Sequence, residues 1–107
     1  MGLTSIPNRE LPRCDWKMVA LVPIPWRDFS ARWEVDFEEN VEWEAPGPVA
    51  HASARGDDSG VWYALEHHYD YPRPGVYFFV PSGTHDPLKV LAEDLGLPVD
   101  YLVSMRI

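Results

Sequence analysis

Cysteine is almost absent from this chain of 107 residues, with Cys14 the lone example. No intramolecular disulfide can form, and neither a CxxC redox pair nor a cysteine-rich zinc site is available. Apolar runs are short, far from the roughly 20 residues that span a bilayer. The opening Met1-Gly2-Leu3-Thr4-Ser5-Ile6 lacks the basic-then-apolar order of a signal peptide. Gly2 suits myristoylation, but Ile6 stands where Ser or Thr is preferred. A reducing cytoplasm is the expected compartment. Basic residues are scarce too, 9 Lys and Arg against 17 Asp and Glu, for a net charge of −8. That balance argues against direct binding to nucleic-acid phosphates or anionic membranes. A glycine-rich phosphate loop, a G-x-S-x-G elbow, a zincin helix and a Rossmann fingerprint are all missing, so no catalytic residue, metal or cofactor is assigned.

What the chain does hold is a large apolar content, 46% hydrophobic and 13% aromatic, enough for a packed core of ordinary single-domain size. Eleven prolines point to many turns and little long helix. Residues 1–14, with Pro7 and Pro12 and no periodicity, read as an irregular arm. Residues 15–107 read as one α+β domain. Strands are expected over Trp16–Val22, Val49–Arg55, Val61–Tyr69 and Val76–Val80, and again from Tyr101 to Ile107. Trp26 to Ser30 suits one helical turn. Asp86-Pro87 starts a helix, Leu88, Leu91, Ala92 and Leu95 give it an apolar stripe, and Gly96 and Pro98 end it. The expected fold is a mostly antiparallel sheet of about six or seven strands, with a C-terminal helix at about 87–95 packed on it.

The negative charge is regional. Residues 1–32 carry five bases and three acids, whereas residues 33–72 carry ten acids and one base, Arg55. Within that region, Trp33, Val35, Phe37, Val41 and Trp43 alternate with Glu34, Asp36, Glu38, Glu42 and Glu44. As β-structure this segment is apolar on one face and acidic on the other. Twelve residues span about 40 Å, long for a strand in a small domain. A hairpin turning at Glu38-Glu39-Asn40 shortens it and keeps the aromatic face continuous. Such a register opposes Asp36 to Glu42 and Glu34 to Glu44, and like charges so placed repel. One bent strand with a bulge at Glu39 is the rival. In either form Trp33 and Trp43 point away from the acids, which argues against a sugar-binding groove.

Two functions follow as expectations. The first is a small acidic protein-binding module that neutralises a basic partner, such as an immunity protein, antitoxin or phage-encoded inhibitor of a nucleic-acid enzyme. Its contacts would be Glu34, Asp36, Glu38, Glu42 and Glu44, with Tyr69, Asp70 and Tyr71 nearby. The second is a small-molecule-binding domain or small enzyme. There Trp62, Tyr63, Tyr77, Phe78 and Phe79 would line a pocket served by Glu66, His68 and Asp70. Adjacent His67 and His68 point to opposite strand faces and cannot easily share a metal. The bland alternative makes Glu66, His68 and Asp70 a solvated polar row opposite Tyr63, Leu65, His67 and Tyr69.

Overall fold

The computed structural model describes residues 2–40, 49–69 and 75–104, with the side chain of Asn40 excepted. Among these residues seven strands form one antiparallel sheet: β1 (Leu3–Ser5), β2 (Trp16–Val22), β3 (Glu38–Asn40), β4 (Val49–Gly56), β5 (Trp62–His68), β6 (Val76–Pro81) and β7 (Val103–Ser104). Two helices accompany it, α1 (Trp26–Trp33) and α2 (Pro87–Leu95), with 3₁₀ turns at Asn8–Glu10 and Val99–Tyr101. The α+β class and the C-terminal helix are as the sequence implies. No helix among the described residues is long and apolar enough to cross a membrane.

Strand order is β1-β4-β5-β6-β2-β7, with β3 also on β4. The β4–β5–β6 meander is local, joined by the Gly56–Gly60 turn and the residues after His68. By contrast β2 reaches across the chain to pair with β6, from Trp16 opposite Pro81 to Val22 opposite Val76. The register shifts between Met18 and Ala20, which leaves Val19 buried without a direct partner on β6. β1 and β3 share one edge of β4: Leu3–Ser5 pair with Gly56–Ala54, and Glu38–Asn40 pair with His51–Val49.

Both helices pack on the same sheet face. The core joins Val22, Ala52, Ala54, Tyr63, Leu65, Val76, Phe78 and Val80 of the strands to Phe29, Trp33, Leu91 and Leu95 of the helices. Ala52 and Ala54 of β4 are buried in the same core cluster as both helices. Phe29 stacks on Trp33 (4.4 Å between centroids) and meets Phe78 edge-on (5.5 Å). The Trp33 indole N–H donates to the Leu95 carbonyl at 3.3 Å, tying the helices together.

Three local expectations change. The turn at 26–30 continues to Trp33, because Trp26, Phe29 and Trp33 recur at helical spacing and bury one side. Asp28 in the first turn and Arg32 in the last suit the helix dipole. The 33–44 hairpin does not form in the expected register: Trp33 is helical, and Glu38-Glu39-Asn40 is a strand on β4 rather than a loop. Trp33, Val35 and Phe37 all pack into the core, and the strand that pairs with this segment is β4. The arm expected at 1–14 supplies β1, held at both ends by backbone bonds, Asp57 N–H to the Gly2 carbonyl (3.0 Å) and Ile6 N–H to the Ser53 carbonyl (3.0 Å).

At α2, Asp86 occupies the N-cap position in a left-handed conformation, and its side chain makes no capping bond. Gly96 closes the helix at φ 68°, donating to the Ala92 and Glu93 carbonyls. The closing strand is short: a 3₁₀ turn takes Val99–Tyr101, β7 takes Val103 and Ser104, and residues 105–107 lie outside the described residues.

Candidate functional site

The acidic stretch leaves α1 and enters the sheet edge over four residues, 34–37. Glu34 caps α1 in the left-handed region at φ 56°. A non-glycine residue there is strained by roughly 1–2 kcal/mol, and a negative charge at a helix C-terminus is unfavourable as well. Both rules are broken at one exposed residue. Glu34→Gly is therefore expected to raise stability by about 1 kcal/mol in urea denaturation.

Beyond Glu34 the chain is pinned from inside. Ser30 Oγ donates to the Val35 carbonyl at 2.7 Å, and the Asp36 backbone N–H donates to Ser5 Oγ at 3.1 Å. Val35 is wholly buried, so Asp36 turns outward. Asp36 and Glu38 then line a hollow of about 310 Å³ with Ser5, Ile6, Pro7 and Asn8, where β1 hands the β4 edge over to β3. A second hollow, about 510 Å³, lies on the other side of Ile6, lined by Thr4, Arg55, Asp57 and Asp58 among others. Asp57 and Asp58 thus extend the acidic edge past β1. The sequence showed them only as turn residues, because nothing local reveals that β1 aligns beside Gly56.

The expected contact residues divide. Asp36 and Glu38 are exposed along this edge and Glu34 is exposed at the end of α1, and among the described residues Glu34 and Asp36 have no ion-pair partner. Glu38 lies 3.9 Å from His51 Nε2. Glu39, the next residue, points the opposite way across the pleat and is matched locally: Arg27 reaches it at 3.2 Å, and the Tyr69 hydroxyl donates to it at 2.8 Å. Partial desolvation, together with the hydrogen bond and charge of Glu39, pushes the Tyr69 hydroxyl above the ordinary phenol range. Tyr69 remains 39% exposed. Glu42, Glu44, Asp70 and Tyr71 lie outside the described residues.

The sheet face away from the helices carries the other candidates. A row crosses it in register: Glu38, His51, Glu66, Tyr77 and Leu21. His68 is not solvated as expected; it is only 7% exposed and bonds Glu66 through Nε2 at 3.0 Å. Its neighbour His67 faces the other way, its Nδ1–H donating to the Gly75 carbonyl at 3.0 Å. The five aromatics expected to line one pocket are split. Tyr63 and Phe78 belong to the core, while Trp62, Tyr77 and Phe79 have the opposite strand parity. Among the described residues no three His, Cys, Asp or Glu side chains are grouped to hold a metal ion.

Sheet and helices place the chain in the α+β class. Comparison with family models, with curated proteins and with solved structures gives no match.

Proposed function

We propose that this protein is a small acidic docking module for a basic protein partner, of the kind expected of an immunity protein, an antitoxin or a phage-encoded inhibitor of a nucleic-acid enzyme. One observation carries the reading. Exposed carboxylates follow a single sheet edge, from Asp36 and Glu38 to Asp57 and Asp58, with partly buried Ile6 between the two hollows. An apolar centre with charged margins suits a protein surface of opposite charge, and a dense negative field speeds its capture. Glu34 supports it further, since it keeps a charge where local folding disfavours one. Carboxylates on a protein surface can also occupy a site built for phosphates, which favours a nucleic-acid enzyme as the partner. The alternative, a ligand pocket using Glu66, His68 and Asp70, is less supported, because its aromatics are divided between two faces.

The test compares capture from the native host by the wild type and by the double variant Asp36→Lys, Glu38→Lys. A basic partner is expected whose affinity weakens with added salt and falls at least about tenfold on charge reversal. An unchanged affinity and salt slope in the variant would remove this edge as the binding surface. Both side chains are exposed, so thermal unfolding of the variant should stay close to that of the wild type.

A further inference from the structure

The tautomer of neutral His51 is coupled to the orientation of the Asn8 amide. The Ser53 hydroxyl donates to Asn8 Oδ1, and in this orientation the amide turns its NH₂ to His51. That NH₂ lies 3.0 Å from His51 Nδ1 and must donate to it. Neutral His51 therefore carries its proton on Nε2, the nitrogen that faces Glu38 at 3.9 Å. Charging the ring adds a proton to Nδ1 and sets it against the Asn8 NH₂, donor against donor. Turning the Asn8 amide over removes the conflict: Oδ1 then accepts from Nδ1–H, and the NH₂ donates to Ser53 Oγ. Ser53 is 1% exposed, so its hydroxyl proton must leave Asn8 and find another acceptor as the amide turns.

We propose that Asn8, His51 and Ser53 form a protonation switch in which charging His51 inverts the Asn8 amide and reverses the polarity of its bonds to β4. Histidine is the side chain whose ordinary charge change falls between about pH 5 and 8. The charged groups around the ring come from every neighbouring element. Glu38 approaches from β3, Glu66 stands opposite in register on β5 with His68 bonded to it, Asp36 shares the Asn8 hollow, and Arg9 and Glu10 follow Asn8 in its 3₁₀ turn. Carboxylates from two strands thus flank the new positive charge. The 3₁₀ turn beside β1 and the first residue of β3 meet at this ring, so one proton acts on both segments of the acidic edge.

The intact protein, labelled with ¹⁵N and followed by NMR, tests this without a partner. At about pH 8 the His51 ring should show the Nε2–H tautomer, with Nδ1 as a hydrogen-bonded acceptor. As the pH falls, the Asn8 side-chain NH₂ resonances should move in step with the His51 ring. In His51→Phe the Asn8 response should vanish while the spectrum stays dispersed. A proton on Nδ1 at the alkaline end, or Asn8 resonances indifferent to the His51 titration, overturns the switch, and both readings come from the wild type alone. The consequence for docking rests on the function proposed above: affinity for the basic partner should fall as His51 charges, and His51→Phe should abolish that fall. A switch seen by NMR with no such effect on affinity counts against the docking role alone.

Discussion

Replacing Phe29 by alanine is expected to cost about 3–5 kcal/mol of folding stability. Phe29 is wholly buried and stands between the two layers: it stacks on Trp33, meets Phe78 edge-on from the sheet, and faces Phe37 at 6.3 Å. Truncation removes a large apolar transfer term and leaves a hollow bounded by rigid rings that cannot easily close over it. For a chain of this length the melting temperature should fall by more than about 12 °C. Phe37→Ala makes the useful contrast. That ring is only partly buried, packed on Trp26 at 5.4 Å, and should cost roughly 1–2 kcal/mol. Equal losses in urea denaturation would mean that α1 is held by something other than this aromatic stack.

Asp94→Ala should be nearly as damaging, at about 3 kcal/mol, for a different reason. Asp94 is a buried carboxylate on α2 that accepts from the Tyr63 hydroxyl at 2.6 Å and from Ser59 Oγ at 2.7 Å. Its backbone carbonyl also takes the Gly2 N–H at 2.8 Å. Space for the carboxylate exists because Gly56 lacks a side chain; a Cβ there would lie 2.3 Å from Asp94 Oδ2 and from Ser59 Oγ. Removing the carboxylate leaves the Tyr63 and Ser59 hydroxyls without their acceptor. Tyr63→Phe should cost less, roughly 1–2 kcal/mol, and the two losses should not add, since they break the same bond.

The same bond sets a pH dependence. Burial, then the hydrogen bond and charge of Asp94, push the Tyr63 hydroxyl far above its ordinary range. An unfolded tyrosine ionises near pH ~10. The contribution of Tyr63 is therefore complete below that pH and is lost as the pH rises above it, where the unfolded chain sheds a proton that the fold retains. Wild-type stability should decline more steeply above about pH 10 than that of Tyr63→Phe. Equal slopes would place the ionisation elsewhere.

Strands β2, β4, β5 and β6 were legible because each is a run of apolar or alternating residues bounded by proline or glycine. α2 was legible from its stripe and its terminal Asp-Pro and Gly. The misreading at 33–44 has a definite cause. Trp33 satisfies two periodicities at once, closing the helical set Trp26, Phe29, Trp33 and opening the alternating set Trp33, Val35, Phe37. Period alone cannot say where a chain changes from one to the other; the left-handed Glu34 makes that change, and glutamate is not the residue expected to do so. Likewise the acidity of the segment was plain, but Asp57 and Asp58 join it only through the β1–β4 register, which pairs Leu3–Ser5 with Gly56–Ala54 far along the chain. His68 was misplaced because parity correctly put it opposite the core, but parity does not say that a face without helices must be wet.

The place of β2 between β6 and β7 has a consequence for how the molecule is made. Its partners arrive late: Val22 pairs with Val76, 54 residues downstream, and Leu21 with Val103. During synthesis from the N-terminus this strand, Trp16-Lys-Met-Val-Ala-Leu-Val22, leaves the ribosome with neither neighbour yet translated. The β4–β5–β6 meander can assemble from nearby residues, and β2 must then be inserted along β6 through long loop closure. A nascent or truncated chain ending before residue 76 exposes its most apolar strand with both edges open, the condition under which strands pair with the wrong molecule.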